Sequence, residues 1–211
     1  MRTTFRGLIR SVALVVAVIL CMLSACSRED SRGKPKGTSA TSQYSADTIF
    51  DEVFKQAQKT PNDIDALYHL ADLYDRSAQY AEAIETYKKV VKLKPDMGYA
   101  WFKMATAYDR LNRPADAVEA FKSAAKHLPN HAVLFNNMGT AYGKLGKYTE
   151  EIAALNKAVK IRPNYAAARY NLGMTYLRKK NRTAAMKEYE ALKEFDEGMA
   201  EALHKEIEKG T

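Results

Sequence analysis

A period of 34 residues governs this chain. Pro61, Pro95, Pro129 and Pro163 keep that spacing each time, although the whole sequence holds only six prolines, so chance placement is a poor explanation. Leu67, Trp101, Phe135 and Arg169 share one register, and Tyr74, Tyr108, Tyr142 and Tyr176 share another. A fixed period of this size means stacked supersecondary units, none of which can bury its apolar side alone.

The unit is clearest in its second copy, residues 98–131. Trp101, Met104, Ala105 and Tyr108 follow i, i+3, i+4, i+7 spacing and predict one helix; Ala117, Phe121, Ala124 and Leu128 predict a second. Pro114 suits the first turn of that second helix, where no intrahelical N–H is lost, and Pro129 ends it. Two antiparallel helices of roughly 13 residues leave apolar stripes that only a neighbouring pair can cover. Trp-x-x-Met-Ala-x-x-Tyr followed by Ala117, Phe121 and Pro129 resembles the tetratricopeptide repeat. The expectation is therefore an all-α chain, a tetratricopeptide-type right-handed superhelical solenoid of antiparallel helix pairs. Its domain would run over 46–211, with an N-terminal capping helix at 46–60, repeats at 64–97, 98–131, 132–165 and 166–199, and a C-terminal capping helix at 198–209. Three residues depart from the pattern. Glu151 stands where other units place Ala83, Ala117 and Ala185, so the helices of the third unit should sit further apart. Arg169 replaces a large apolar residue, and Glu197 replaces a closing proline.

On a helical wheel, the side of each first helix opposite its core stripe should be polar. It nevertheless carries Tyr68, Tyr99, Phe102, Val133, Tyr170, Met174 and Leu177. In the family that the sequence resembles, this side lines a concave groove for partner peptides. The resemblance implies that Tyr68, Phe102, Asn136 and Tyr170, at unit position 5, face a ligand. Asn137 and Asn171, at position 6, resemble rungs of an asparagine ladder that grips a peptide backbone; His69 and Lys103 occupy the other two rungs. The alternative is that the aromatic rings wedge between neighbouring first helices. Asp72, Asp109, Arg110, Lys144 and Arg178 give the same side mixed charge. The carboxylate clamp used by some family members is not matched, because Tyr68 holds its lysine position.

The first 25 residues have the three parts of a secretory signal: Arg2, Arg6 and Arg10, an apolar core from Val12 to Leu23, and small residues at the end. The apolar run is about twelve residues, too short to cross a hydrocarbon layer of roughly 30 Å. Leu23-Ser24-Ala25-Cys26 resembles the lipobox of bacterial lipoproteins. That resemblance implies cleavage before Cys26 and a covalent diacylglyceryl and acyl lipid on it, with no other cofactor expected. Ser27 after the cysteine favours the outer membrane, the body facing the periplasm. An ordinary secretory signal with an incidental cysteine is the other reading. Residues 26–45 read as a lipidated cysteine and flexible tether.

Net charge is +8, but three of those charges belong to the leader and a net two to the tether, leaving +3 on the repeats. Lysines such as Lys88, Lys89 and Lys92 lie among acids on helical faces, which argues against a nucleic-acid partner. Both cysteines, Cys21 and Cys26, precede the repeats, which excludes a disulfide or thiolate-metal site in them. His127 and His131 are separated by the break at Pro129, so i, i+4 metal geometry is lost, and Asp63 reads as a helix cap. No phosphate loop, nucleophile elbow or Cys/His constellation appears. The chain is expected to be a non-enzymatic adaptor or assembly factor with a monomeric body and a protein or peptide partner. A pilotin-like or structural subunit built permanently into a pilus, secretion or envelope complex is the alternative.

Overall fold

The computed structural model describes residues 46–209, and among them every element is helical. Cys26, the leader and the tether lie outside the described residues. Helix α1 is Ala46–Lys59. Four hairpins follow: α2 (Ile64–Arg76) with α3 (Tyr80–Leu93), α4 (Gly98–Arg110) with α5 (Pro114–His127), α6 (Ala132–Lys144) with α7 (Tyr148–Ile161), and α8 (Ala166–Arg178) with α9 (Arg182–Lys193). Helix α10 (Glu197–Lys209) ends the stack. No helix among the described residues is long and apolar enough to cross a membrane.

The turn inside each hairpin repeats at the backbone level. Ala78, Asn112, Gly146 and Lys180 occupy the same unit position, and all four have positive φ, between 55° and 70°. In each case the next residue donates its N–H to the carbonyl of the register tyrosine. Gln79 bonds Tyr74, Arg113 bonds Tyr108, Lys147 bonds Tyr142 and Asn181 bonds Tyr176, at 2.8–3.0 Å. This left-handed closure satisfies a carbonyl that the helix end would otherwise leave open.

Side chains on the predicted stripes form the core. Leu67, Ala71, Tyr87, Val90, Ala105, Ala117, Phe121, Ala124, Leu134 and Leu155 are buried in one apolar cluster running from Ala57 to Leu172. A second cluster, Ala185, Leu192, Ala200, Leu203 and Ile207, joins α9 to α10. Helix α1 closes the other end, with Phe50 set edge-on against Tyr74 at 5.2 Å between ring centres.

Two departures from the repeat are resolved by local chemistry. Arg169 does what Trp101 does in its unit: Trp101 Nε1 donates to the Pro95 carbonyl at 2.8 Å, and Arg169 Nε donates to the Pro163 carbonyl at 2.7 Å. Its guanidinium then reaches Glu188 at 2.8 Å. The expected parting of the third unit's helices does not occur. Gly143 makes the room for Glu151, since a Cβ there would stand 2.7 Å from the carboxylate; at Gly139 a Cβ would stand 2.8 Å from Leu155. At Glu197 the missing proline is replaced by a cap, with Asp196 Oδ1 accepting the Met199 N–H at 3.0 Å.

Candidate functional site

Neighbouring first helices touch one another (α2 with α4, α4 with α6, α6 with α8), whereas α3, α5, α7 and α9 do not touch in sequence. The stack must therefore bend with the first helices inside. On the outer side, α3 and α5 part over a cleft of about 490 Å³ whose floor includes Trp101, Met104 and Tyr108. The inner side is the candidate site.

Aromatic side chains on the inner side are neither free nor sealed. Tyr68 and Phe102 are half-buried, and each leans on a ring from the second helix of its own unit: Tyr68 on Tyr87 at 5.8 Å, Phe102 on Phe121 at 6.1 Å. Tyr99 is 53% exposed and meets His131 edge-on at 5.8 Å, while Phe102 lies 5.0 Å from the same imidazole. Groove and wedge are thus combined, with rings anchored from behind and open in front. At the C-terminal end the balance shifts. Tyr170, Met174 and Leu177 pack against the cluster built by α10, so their contribution to an open groove is reduced.

The amides are connected rather than arrayed. Asn171 Nδ2 donates to Asn136 Oδ1 at 3.1 Å, and Asn136 Nδ2 donates to Asn137 Oδ1 at 3.2 Å. Asn136 is 8% exposed, which corrects its expected place among ligand-facing residues. Its amide is used in joining α6 to α8. Asn137 remains at the groove and lines a cavity of about 400 Å³ with Thr106, Asp109, Arg110, Thr140 and Lys144.

Charge on the inner side is arranged in pairs between adjacent first helices. Lys103 Nζ lies 2.7 Å from Asp72 Oδ1 and 3.9 Å from Asp75, and Arg76 holds the other Asp72 oxygen at 2.7 Å. Lys144 Nζ lies 2.6 Å from Asp109. Burial alone would push the Asp72 carboxyl up, but the hydrogen bond and charge of Lys103, with Arg76, hold it below the usual carboxylate range. Asp75 is pushed up by burial and by Asp72 against the pull of Lys103. Burial opposes the Lys103 charge, yet Asp72 and Asp75 raise its pKa above the ordinary value. The Tyr68 and Tyr87 phenols are both raised, chiefly by burial. Tyr87 Oη is buried without a hydrogen-bond partner.

Sequence reasoning missed two participants. His131 caps α6, its Nδ1 accepting the Leu134 N–H at 3.1 Å, and the same ring supports Tyr99 and Phe102. Its place just before a helix start was the available signal. Glu151, read only as a misfit, is 3% exposed and lines a second inner cavity of about 310 Å³ with Asn171 and Arg178. Among the described residues, no three His, Cys, Asp or Glu side chains gather as a metal site.

Models described as tetratricopeptide repeats match residues 68–132 and 166–198, and one described as a TPR repeat matches residues 139–180. No curated protein matches significantly in sequence. Solved structures share the architecture. A crystal structure of MamA is 22% identical with a TM-score of 0.68, covering 78% of this chain and 91% of its own. MamA from residue 41 onward, of Desulfovibrio magneticus RS-1, is 21% identical with a TM-score of 0.68, covering 73% and 87%. YrrB, described as a TPR protein with an unusual peptide-binding site, is 22% identical with a TM-score of 0.68, covering 76% and 83%. Helix order, register and these likenesses agree: this chain carries tetratricopeptide repeats and folds as a tetratricopeptide-repeat solenoid.

Proposed function

We propose that this protein is a non-catalytic adaptor or assembly factor. It grips an extended peptide or a helix of another protein along the inner side of its first helices. The observation that carries this reading is the row Tyr68, Tyr99 and Phe102, rings supported from behind by Tyr87, His131 and Phe121 but left open toward the groove. Rigid aromatic surface of this kind gives contact area at little entropic cost, which suits a binding face. The fold neighbour YrrB, described as having a peptide-binding site, supports the same direction. Photo-crosslinkers placed at Phe102 and Tyr99 in cells should trap partner protein, and crosslinkers on the outer side at Lys89 and Lys122 should not. Equal trapping from both sides would end the reading.

The proposal extends to location. Cys26 carries diacylglyceryl and acyl chains that hold the body at the outer membrane, facing the periplasm, with the tether of 26–45 between lipid and repeats. The sequence Leu23-Ser24-Ala25-Cys26 supports this. Several acyl chains at about 0.8 kcal/mol per buried methylene make such an anchor firm. Metabolic labelling with an alkyne fatty acid should mark the wild type and leave Cys26→Ser unlabelled; label persisting on the variant would overturn the anchor.

A further inference from the structure

Glu151 is a poorly served carboxylate in a place where the other units keep an alanine. Ala83, Ala117 and Ala185 fill the equivalent slot, and all three are fully buried in helix packing. Glu151 is also buried, its carboxylate lying over Gly143, where any Cβ would collide with it. It receives one hydrogen bond, from Arg178 Nη1 to Oε1, at 3.3 Å. Its Oε2 has no partner. An ionised carboxylate withdrawn from water to this degree requires more donors than one long contact supplies. Arg178, the one residue that supplies it, is 47% exposed and comes from the next unit.

The carboxylate belongs to the 310 Å³ cavity lined by Thr140, Gly143, Lys144, Glu151, Asn171 and Arg178. Thr140 and Lys144 also border the cavity that Asn137 lines, so the two are neighbours along the groove. A backbone held at Asn137 could send a side chain into the space beside Glu151. The volume suits one long side chain and lies at the low end for small-ligand sites.

We propose that Glu151 is the receptor for a basic side chain, arginine or lysine, of the peptide that lies in the groove, and that Arg178 occupies the carboxylate until the peptide displaces it. This rests on the groove reading above. The chemistry favours a cation over an anion. The atom lacking a partner is a buried acceptor, whereas the two cations at the rim already have compensation: Lys144 is held by Asp109 at 2.6 Å, and Arg178 has the other Glu151 oxygen at 3.3 Å and, being close to half-exposed, water. An incoming guanidinium could serve both Glu151 oxygens at once, as the fork geometry allows.

The test is selection of a phage-displayed random dodecapeptide library on the full-length chain in detergent. Binding of the recovered peptides is then measured by fluorescence polarisation to wild type, Glu151→Ala, Glu151→Gln, Arg178→Ala and Thr140→Trp. Thr140 is exposed and borders both cavities, so a tryptophan there blocks the groove. Glu151→Ala places in the third unit what the others already hold, and a thermal melt checks that it is folded. The expected result is a fixed arginine or lysine among peptides that Thr140→Trp excludes. Replacing that residue by norleucine should weaken binding to wild type by about tenfold or more. On either Glu151 variant the replacement should change binding less than about twofold, and Arg178→Ala should bind the basic peptide several-fold tighter. If groove-dependent peptides carry no fixed basic residue, carry an acidic one, or bind the Glu151 variants unchanged, the groove stands and this inference falls. If Thr140→Trp excludes no recovered peptide, the groove reading itself falls and takes this one with it.

Discussion

Arg169 preserves its unit because a hydrogen bond matters more at that position than apolarity does. The Pro163 carbonyl needs a donor from the first turn of the next helix, and Nε supplies it as the Trp101 indole does in its own unit. Arg169→Leu restores the apolar type yet leaves that carbonyl and the Glu188 carboxylate, only 15% exposed, without their donor. It should lower stability in urea unfolding by about 1–3 kcal/mol, with Glu188→Leu in the same chain recovering part of the loss. Gly143 and Glu151 form a second coupled pair. Gly143→Ala drives a Cβ into the carboxylate and should cost about 1–3 kcal/mol, whereas adding Glu151→Ala should remove most of that cost. Equal losses in the single and double variants would show that the two residues do not share the space. The sequence marked Glu151 and Arg169 as exceptions but not as solutions, because each is answered by a residue elsewhere: a glycine one helix earlier, and a carbonyl six residues back. A register reading compares equivalent positions, and it does not compare positions that meet across a hairpin.

Helices were legible because a repeat writes the same local chemistry many times. Stripe, interrepeat proline and left-handed turn recur at fixed offsets, and each element needs only its sequence neighbours and the next hairpin. Which inner-side groups stay available was less legible. That depends on contacts between helices, such as the amide chain through Asn136 and the covering of Tyr170 and Met174 by the α10 cluster. Helix α10 is held by Leu203 and Ile207, both fully buried, and Gly173 is the close-approach point under Leu203. Leu203→Ala should cost about 2–5 kcal/mol. The pair between α2 and α4 carries a pH signature. Asp72 has its folded pKa held below the ordinary carboxylate value of 3.8, so its stabilising contribution is complete above that pH and is lost as pH falls through the folded value. Asp72→Asn should therefore be less stable than wild type near pH 6, with the gap closing below about pH 3.8 in denaturant titrations. Asp75, shifted the other way by burial, works in the opposite sense and narrows the net effect.

At the scale of the whole molecule, stability is a chain of nearest-neighbour terms, because each hairpin touches only those beside it. The damage from Leu203→Ala should accordingly stay local. Hydrogen exchange should quicken in α8 to α10 and remain as in wild type through α2 to α5; uniform acceleration would mean that the stack unfolds as one body. The period dictated this architecture from sequence, whereas the partner leaves no such period, since the groove is shaped by contacts between helices that no register records. The ion pairs across the inner side bear on what that is. Asp72 with Lys103, and Asp109 with Lys144, brace adjacent inner rods at 2.7 and 2.6 Å. A guest of large girth, such as an α-helix about 10 Å across, strains those braces wherever it flattens the arc. A slender guest would not. The more exposed brace, Asp109 with Lys144, is the first that added salt would slacken, so tolerance for bulky guests should widen with ionic strength.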